Sequence, residues 1–90
     1  QVKYFGVTGN DVTAVFAEET LAKYRVNSRF IVDESRPTTL KQRFRADGKT
    51  LLRVSRLKQH DISRELADRM FEQVADALNT CDLLIFSDFN

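Results

Sequence analysis

Between residues 36 and 58 the chain carries eight basic side chains, Arg36, Lys41, Arg43, Arg45, Lys49, Arg53, Arg56 and Lys58, against a single acid, Asp47. The whole chain has a net charge of only +1, so the remainder is acidic by the balance. Cations crowded in this way attract phosphate, whether on a nucleotide, a sugar or a nucleic acid, and the plain alternative is a solvated strand face. Asp88 ends a continuous apolar run. If that run is a parallel strand, Asp88 lies on the edge where α/β folds gather ligands, and it either contacts one or shapes its loop. Asp11, just before a helical pattern, reads as a helix cap rather than a ligand. His60 has no partner in sequence that would make it a base, and it receives no role. One Cys and one His do not make a zinc site. Cys81 as the sole cysteine excludes an internal disulfide and fits a reducing cytoplasm. No catalytic residue and no metal ligand is assigned.

The elements that would position these groups can be read from the pattern. A first strand spans 2–7. The turn at 8–11 follows, with Asn10 or Asp11 capping a helix whose apolar positions are Val12, Val15, Phe16 and Ala22 or Tyr24. Alternation over 28–32 predicts a second strand, and a polar loop at 33–37 ends on Pro37, the only proline. Residues 39–45 alternate, Asp47-Gly48 supplies a tight turn, and 50–56 run back. Asp-Gly between two such runs is a strong hairpin signature, because a primed turn needs positive φ at both central residues. One face of the outgoing strand carries Lys41, Arg43 and Arg45; the other carries Leu40, Gln42, Phe44 and Ala46. This moderate contrast suits a hairpin projecting from a core. Asp61 is the expected cap of a second helix with Ile62, Leu66, Met70, Val74 and Leu78 at four-residue spacing, widened by Ala67, Phe71 and Ala75. Asn79-Thr80 ends it. The run from Asp82 to Phe86 is apolar without alternation, as in a parallel strand covered on both faces, and a loop begins by Asn90.

Ninety residues make at most one small domain, and 42% hydrophobic with 30% charged residues is ordinary for a soluble globular protein. Nothing approaches the roughly 20 apolar residues that span a bilayer, and no signal peptide opens the chain. Core-type strands at both ends lead to the expectation that the chain is a piece of a larger domain, inactive alone.

Three blocks carry a resemblance. Arg36-Pro37-Thr38-Thr39-Leu40-Lys41-Gln42-Arg43, followed by Leu51-Leu52-Arg53-Val54-Ser55-Arg56, resembles a paired signature of ribokinase-like carbohydrate kinases. The likeness is to the heptose-7-phosphate kinase half of the bifunctional ADP-heptose synthases. Phe5-Gly6-Val7-Thr8-Gly9-Asn10-Asp11 is similar to the turn after that family's corresponding strand, and Leu84-Ile85-Phe86-Ser87-Asp88-Phe89 to a later strand end. Ser55 stands where those kinases usually carry an aspartate. The resemblance implies a three-layer α/β/α sandwich with a protruding β-hairpin lid. Residues 1–90 would be the middle of its N-terminal half, and 36–58 the lid. It implies a transferase moving the γ-phosphoryl group of ATP, with Mg, to a sugar or sugar phosphate. It also implies a homodimer clasped through the lid, while the catalytic aspartate and nucleotide site lie outside this stretch. Lys41 and Arg43, within the matched block, are then expected to include a contact to the phosphorylated sugar; Asp88, at the strand edge, would orient sugar hydroxyls or structure its loop.

A reading from another class remains. The elements run β-α-β-β-β-α-β or, if the loop around Pro37 does not divide two strands, β-α-β-β-α-β; as a stand-alone chain the second order is the ferredoxin-like layout, in which the basic hairpin would bind nucleic acid or a protein partner. Against the RNA-recognition version, Thr50-Leu51-Leu52-Arg53-Val54 offers no aromatic platform.

Overall fold

The structure, a computed structural model, describes residues 1–88. Its elements run β1 (Val2–Thr8), α1 (Val12–Lys23), β2 (Val26–Val32), β3 (Leu40–Ala46), β4 (Lys49–Arg56) and α2 (Arg64–Leu78). The architecture is mixed α/β, with two separate two-stranded sheets.

β1 and β2 pair in parallel, Val2 opposite Val26 through Thr8 opposite Val32, and α1 is the crossover between them. Parallel neighbours need such a crossover because a tight turn cannot return the chain to the same end of the sheet. Asp11 begins α1 as expected, its carboxylate accepting from the Ala14 N–H at 3.0 Å. The helix ends at Tyr24, and Arg25 turns out of it with φ 60°, an αL exit. Both helices pack on β2, whose Ile31 is the buried hydrophobic residue among the described residues.

The two helices meet the sheet differently from expectation. In α1 the half-buried positions include Thr13, Ala14, Ala17 and Leu21, while Val12, Val15, Phe16 and Tyr24 stand exposed. Small side chains let the helix approach the sheet, and the bulkier apolar residues are left on the far face. Apolar residues on both faces are the mark of a helix that is covered on both sides. In α2 the predicted stripe holds at Leu66, Met70 and Val74 and ends on half-buried Ala77 instead of Leu78. Ala67, Phe71 and Ala75 remain exposed. The cap is Ser63, not Asp61: the Ser63 hydroxyl accepts from the Leu66 N–H at 3.2 Å, placing Asp61 and Ile62 ahead of the helix.

β3 and β4 form an antiparallel hairpin that packs on itself rather than on the parallel sheet. Asp47 and Gly48 have φ of 50° and 76°, the paired positive values expected of the turn. The projecting hairpin helps explain a radius of gyration of 15.0 Å, against about 12 Å for a compact chain of this size.

The expected last strand is not formed. Residues 83–88 belong to no strand or helix, and Leu83, Ile85 and Phe86 are 76%, 77% and 86% exposed. A run of this kind needs a ladder partner and a covering layer, and β1 and β2 pair only with each other here. The part of the expectation that falls on Phe89 and Asn90 lies outside the described residues. No helix among the described residues is long and apolar enough to cross a membrane.

Candidate functional site

The carboxyl ends of β1 and β2 meet the base of the hairpin, and a polar network ties the three together. Thr38, 9% exposed, accepts a bond from the Gly9 N–H at 2.9 Å and donates its hydroxyl to the Asp11 carboxylate at 2.6 Å. Its own N–H reaches the same carboxylate at 2.8 Å. Gly9 is required by this closeness: a Cβ there would run into the backbone of Arg36, Pro37 and Thr38. Asp11, read from sequence as a cap, therefore has a second duty as the anchor of the hairpin's incoming strand. The Thr38 hydroxyl, the Thr38 N–H, the Ala14 N–H and the nearby Arg56 charge together hold its carboxyl below the ordinary value, against some opposing desolvation.

The second half of the base is built on Asp33, 6% exposed. Its carboxylate accepts from the Ser35 hydroxyl at 2.6 Å and from the Ser35 N–H at 2.9 Å. It also pairs with Arg36 Nε at 2.8 Å. Hydrogen bonding from Ser35 is the main cause of its lowered pKa, with Arg36 adding to it. Arg36 then reaches the segment that follows β4, donating to the His60 carbonyl at 2.8 Å and lying 2.9 Å from His60 Nδ1. A guanidinium has only N–H groups to offer, so the second contact is a hydrogen bond when Nδ1 is unprotonated. That nitrogen also lies 2.9 Å from the Asp61 carbonyl, which the opposite tautomer would satisfy. Lys58 closes the base by donating to the Ser35 carbonyl at 2.8 Å. Asp33 and His60, which the sequence left without a role, and Arg36 and Lys58, read there only as part of the basic cluster, thus hold both ends of the hairpin.

Two clefts flank this junction. One, of 440 Å³, opens beside Thr8, Gly9, Asn10, Asp11, Arg29 and Val32. The other, of 520 Å³, is more apolar and lies among Tyr4, Phe16, Leu21, Phe30 and Leu40. Tyr4 and Phe30 meet edge to face there, their ring centres 6.1 Å apart. Thr8 lines both clefts, and its buried hydroxyl oxygen has no hydrogen-bond partner among the described residues.

Lys41 and Arg43 lie on one face of β3, as the alternation predicts. The register adds a residue that sequence reasoning did not place with them: Arg53 of β4 sits directly opposite Arg43. Ser55 opposes Lys41, and Thr50 opposes Arg45, whose guanidinium donates to the Gly48 carbonyl at 2.8 Å. Lys41 and Asp88 are each engaged by other groups of the structure. Asp88 ends the segment 83–88, which belongs to no strand, so it does not stand at the carboxyl end of one. Among the described residues no group of three or more His, Cys, Asp or Glu side chains is placed to hold a metal ion.

No protein-family model matches the chain. Similar proteins carry the name Bifunctional protein HldE. The one from Helicobacter hepaticus is 32% identical over 90 residues, covering 99% of this chain and 19% of its own length. The one from Pasteurella multocida is 31% identical over 88 residues, covering 98% of this chain and 18% of its own length. A third, from Wolinella succinogenes, is 31% identical over 85 residues, covering 93% of this chain and 18% of its own length. Nearly the whole chain is therefore related in sequence to HldE proteins, and it spans less than a fifth of the length of these relatives.

Proposed function

We propose that this chain is part of a cytoplasmic, ATP-dependent carbohydrate kinase of the ribokinase-like kind, in which 36–58 is a lid over a sugar or sugar phosphate resembling heptose 7-phosphate. The observation that carries this reading is the amphipathic basic hairpin tied by its base to the carboxyl ends of two parallel strands. Ligands of open α/β sheets collect at that edge. The likeness to HldE proteins over nearly the whole chain supports the same assignment. So do the apolar groups left open on the far face of α1 and along 83–86, which suit a three-layer sandwich with further strands and helices.

Phosphoryl transfer asks a protein mainly for position and charge stabilisation in a site poor in water. In this reading the hairpin swings on its tethered base, excludes water, and brings Lys41 and Arg43 to the phosphorylated sugar. Asp88 joins the sugar side once 83–88 is paired as a strand. In this reading ATP supplies the γ-phosphoryl group and Mg neutralises its charge, at sites that lie mostly outside this stretch. Edge pairing of two hairpins would give the homodimer.

The test is direct. The full-length protein, supplied with ATP, Mg and a panel of sugars and sugar phosphates, should convert a seven-carbon sugar 7-phosphate to a bisphosphate. Lys41→Ala and Arg43→Ala should raise its KM. Turnover of no sugar in the panel contradicts the proposal, and unchanged KM in both variants removes the two residues from the site.

A further inference from the structure

The hairpin contains an irregularity that sorts its side chains. A two-residue turn at Asp47-Gly48 pairs Ala46 with Lys49 and Arg45 with Thr50. Continued regularly, that register would set Phe44 against Leu51 and Arg43 against Leu52, and Arg53 would share a face with Gln42. The observed register slips by one residue between Phe44 and Arg45, so Phe44 meets Leu52 and Leu51 becomes the extra residue of a β-bulge. A one-residue slip moves every later side chain to the opposite face. Beyond the bulge, Leu52, Val54 and Arg56 therefore join Leu40, Gln42 and Phe44, while Arg53 and Ser55 join Lys41 and Arg43.

The result places two guanidinium groups directly opposite one another. Directly opposed side chains have Cβ atoms about 5 Å apart, and like charges there are destabilising. Neither the Arg43 nor the Arg53 side chain has a hydrogen bond or ion pair among the described residues, and the nearest acid in the hairpin, Asp47, is in the turn. The hydroxyls of Thr50 and Ser55 point to the same face. A phosphate dianion offers three acceptor oxygens, suits the planar fork of arginine, and would relieve the repulsion between two of them.

We infer that Arg43 and Arg53 form a two-arginine clamp for the phosphate monoester of the sugar substrate, and that the Leu51 bulge exists in this hairpin to bring Arg53 onto that face. The clamp rests on the kinase reading for the identity of the ligand, and its binding test does not require catalysis. It assigns the hairpin's specificity to the phosphate already on the sugar, distinct from the hydroxyl that is phosphorylated.

The experiment uses the full-length protein and two readouts. Binding of inorganic phosphate and of a sugar 7-phosphate is followed by phosphorus NMR, with the unphosphorylated sugar as comparison. Steady-state KM values are measured for the sugar phosphate and for ATP. Arg53→Ala should weaken phosphate-bearing probes roughly 10- to 100-fold, the size expected for a lost charge-assisted bond. The KM for ATP should stay constant, and Arg53→Lys should recover part of the loss. Lys49→Ala removes the same charge from the opposite face and should leave these affinities unaltered. Equal effects of Lys49→Ala and Arg53→Ala would overturn the clamp in favour of a diffuse field. Unchanged sugar-phosphate affinity in Arg53→Ala, with kinase activity intact, would overturn the clamp and leave the kinase reading standing. Tight, salt-sensitive binding of a single-stranded oligonucleotide lost in the same variant would overturn it in favour of a nucleic-acid surface. If the full-length protein transfers no phosphoryl group yet binds sugar phosphate through Arg43 and Arg53, the clamp holds and the kinase reading fails.

Discussion

Thr38 is the residue on which the junction between sheet and hairpin turns. Its hydroxyl both accepts from Gly9 and donates to Asp11, so no apolar isostere can replace it. Thr38→Val should leave the buried Gly9 N–H unsatisfied at a cost of about 1–3 kcal/mol, and Thr38→Ser should recover most of it; denaturant unfolding of the full-length protein measures both. The pH dependence follows from the same contacts. Asp11 and Asp33 are held below the ordinary carboxylate value in the folded protein. The unfolded chain therefore binds protons first as pH falls. Stability supplied by these two groups is complete above about pH 4 and is lost as pH drops through their folded values. Thr38→Val, which removes the largest cause of the Asp11 shift, should flatten that acid loss; an unfolding series between neutral pH and acid shows whether it does. Arg36→Ala should loosen the base more than His60→Ala, because the His60 carbonyl still accepts from Arg36 after the imidazole is gone.

At the scale of elements, the sequence shows some features plainly and hides others for identifiable reasons. The first two strands, the Asp11 cap and the Asp-Gly hairpin were legible because each depends on local chemistry within a few residues, whereas the parallel pairing of β1 with β2 joins residues 24 apart and was not. Placement of Lys41 and Arg43 on one face followed from alternation alone. Arg53 was not legible, since its face depends on a bulge that strand alternation conceals; the one available sign was that Leu52 and Val54 needed a slip to join Leu40 and Phe44. The buried face of α1 was misjudged because Ala14 and Ala17, too small to dominate a hydrophobic pattern, are what the sheet accepts. Strand character at 83–86 could be read, but a strand is a pairing, and no partner strand for it stands among the described residues. The turn offers a clean test of the hairpin as an element. A methyl group added at Gly48 would meet nothing within 4 Å, so Gly48→Ala reports backbone strain only. With φ at 76° the substitution should cost about 1–2 kcal/mol and speed amide exchange across β3 and β4 while sparing β1 and β2.

Across the whole molecule, three features agree with one another: a small parallel sheet with apolar groups still open, a polar network at its carboxyl edge, and a basic hairpin standing off from it. An isolated binding module would be expected to cover Phe16, Leu83, Ile85 and Phe86, which are 67%, 76%, 77% and 86% exposed. A lid on a larger enzyme accounts for both the open apolar faces and the free-standing hairpin. The measurement that bears most directly on this account is hydrogen–deuterium exchange over 36–58 in the full-length protein, with and without a sugar 7-phosphate and a non-hydrolysable ATP analogue. Closure predicts strong protection of the β3–β4 amides on adding the sugar phosphate, weakened in Arg53→Ala, with little change in α2. Unaltered exchange in the hairpin while the ligand is demonstrably bound elsewhere would contradict it.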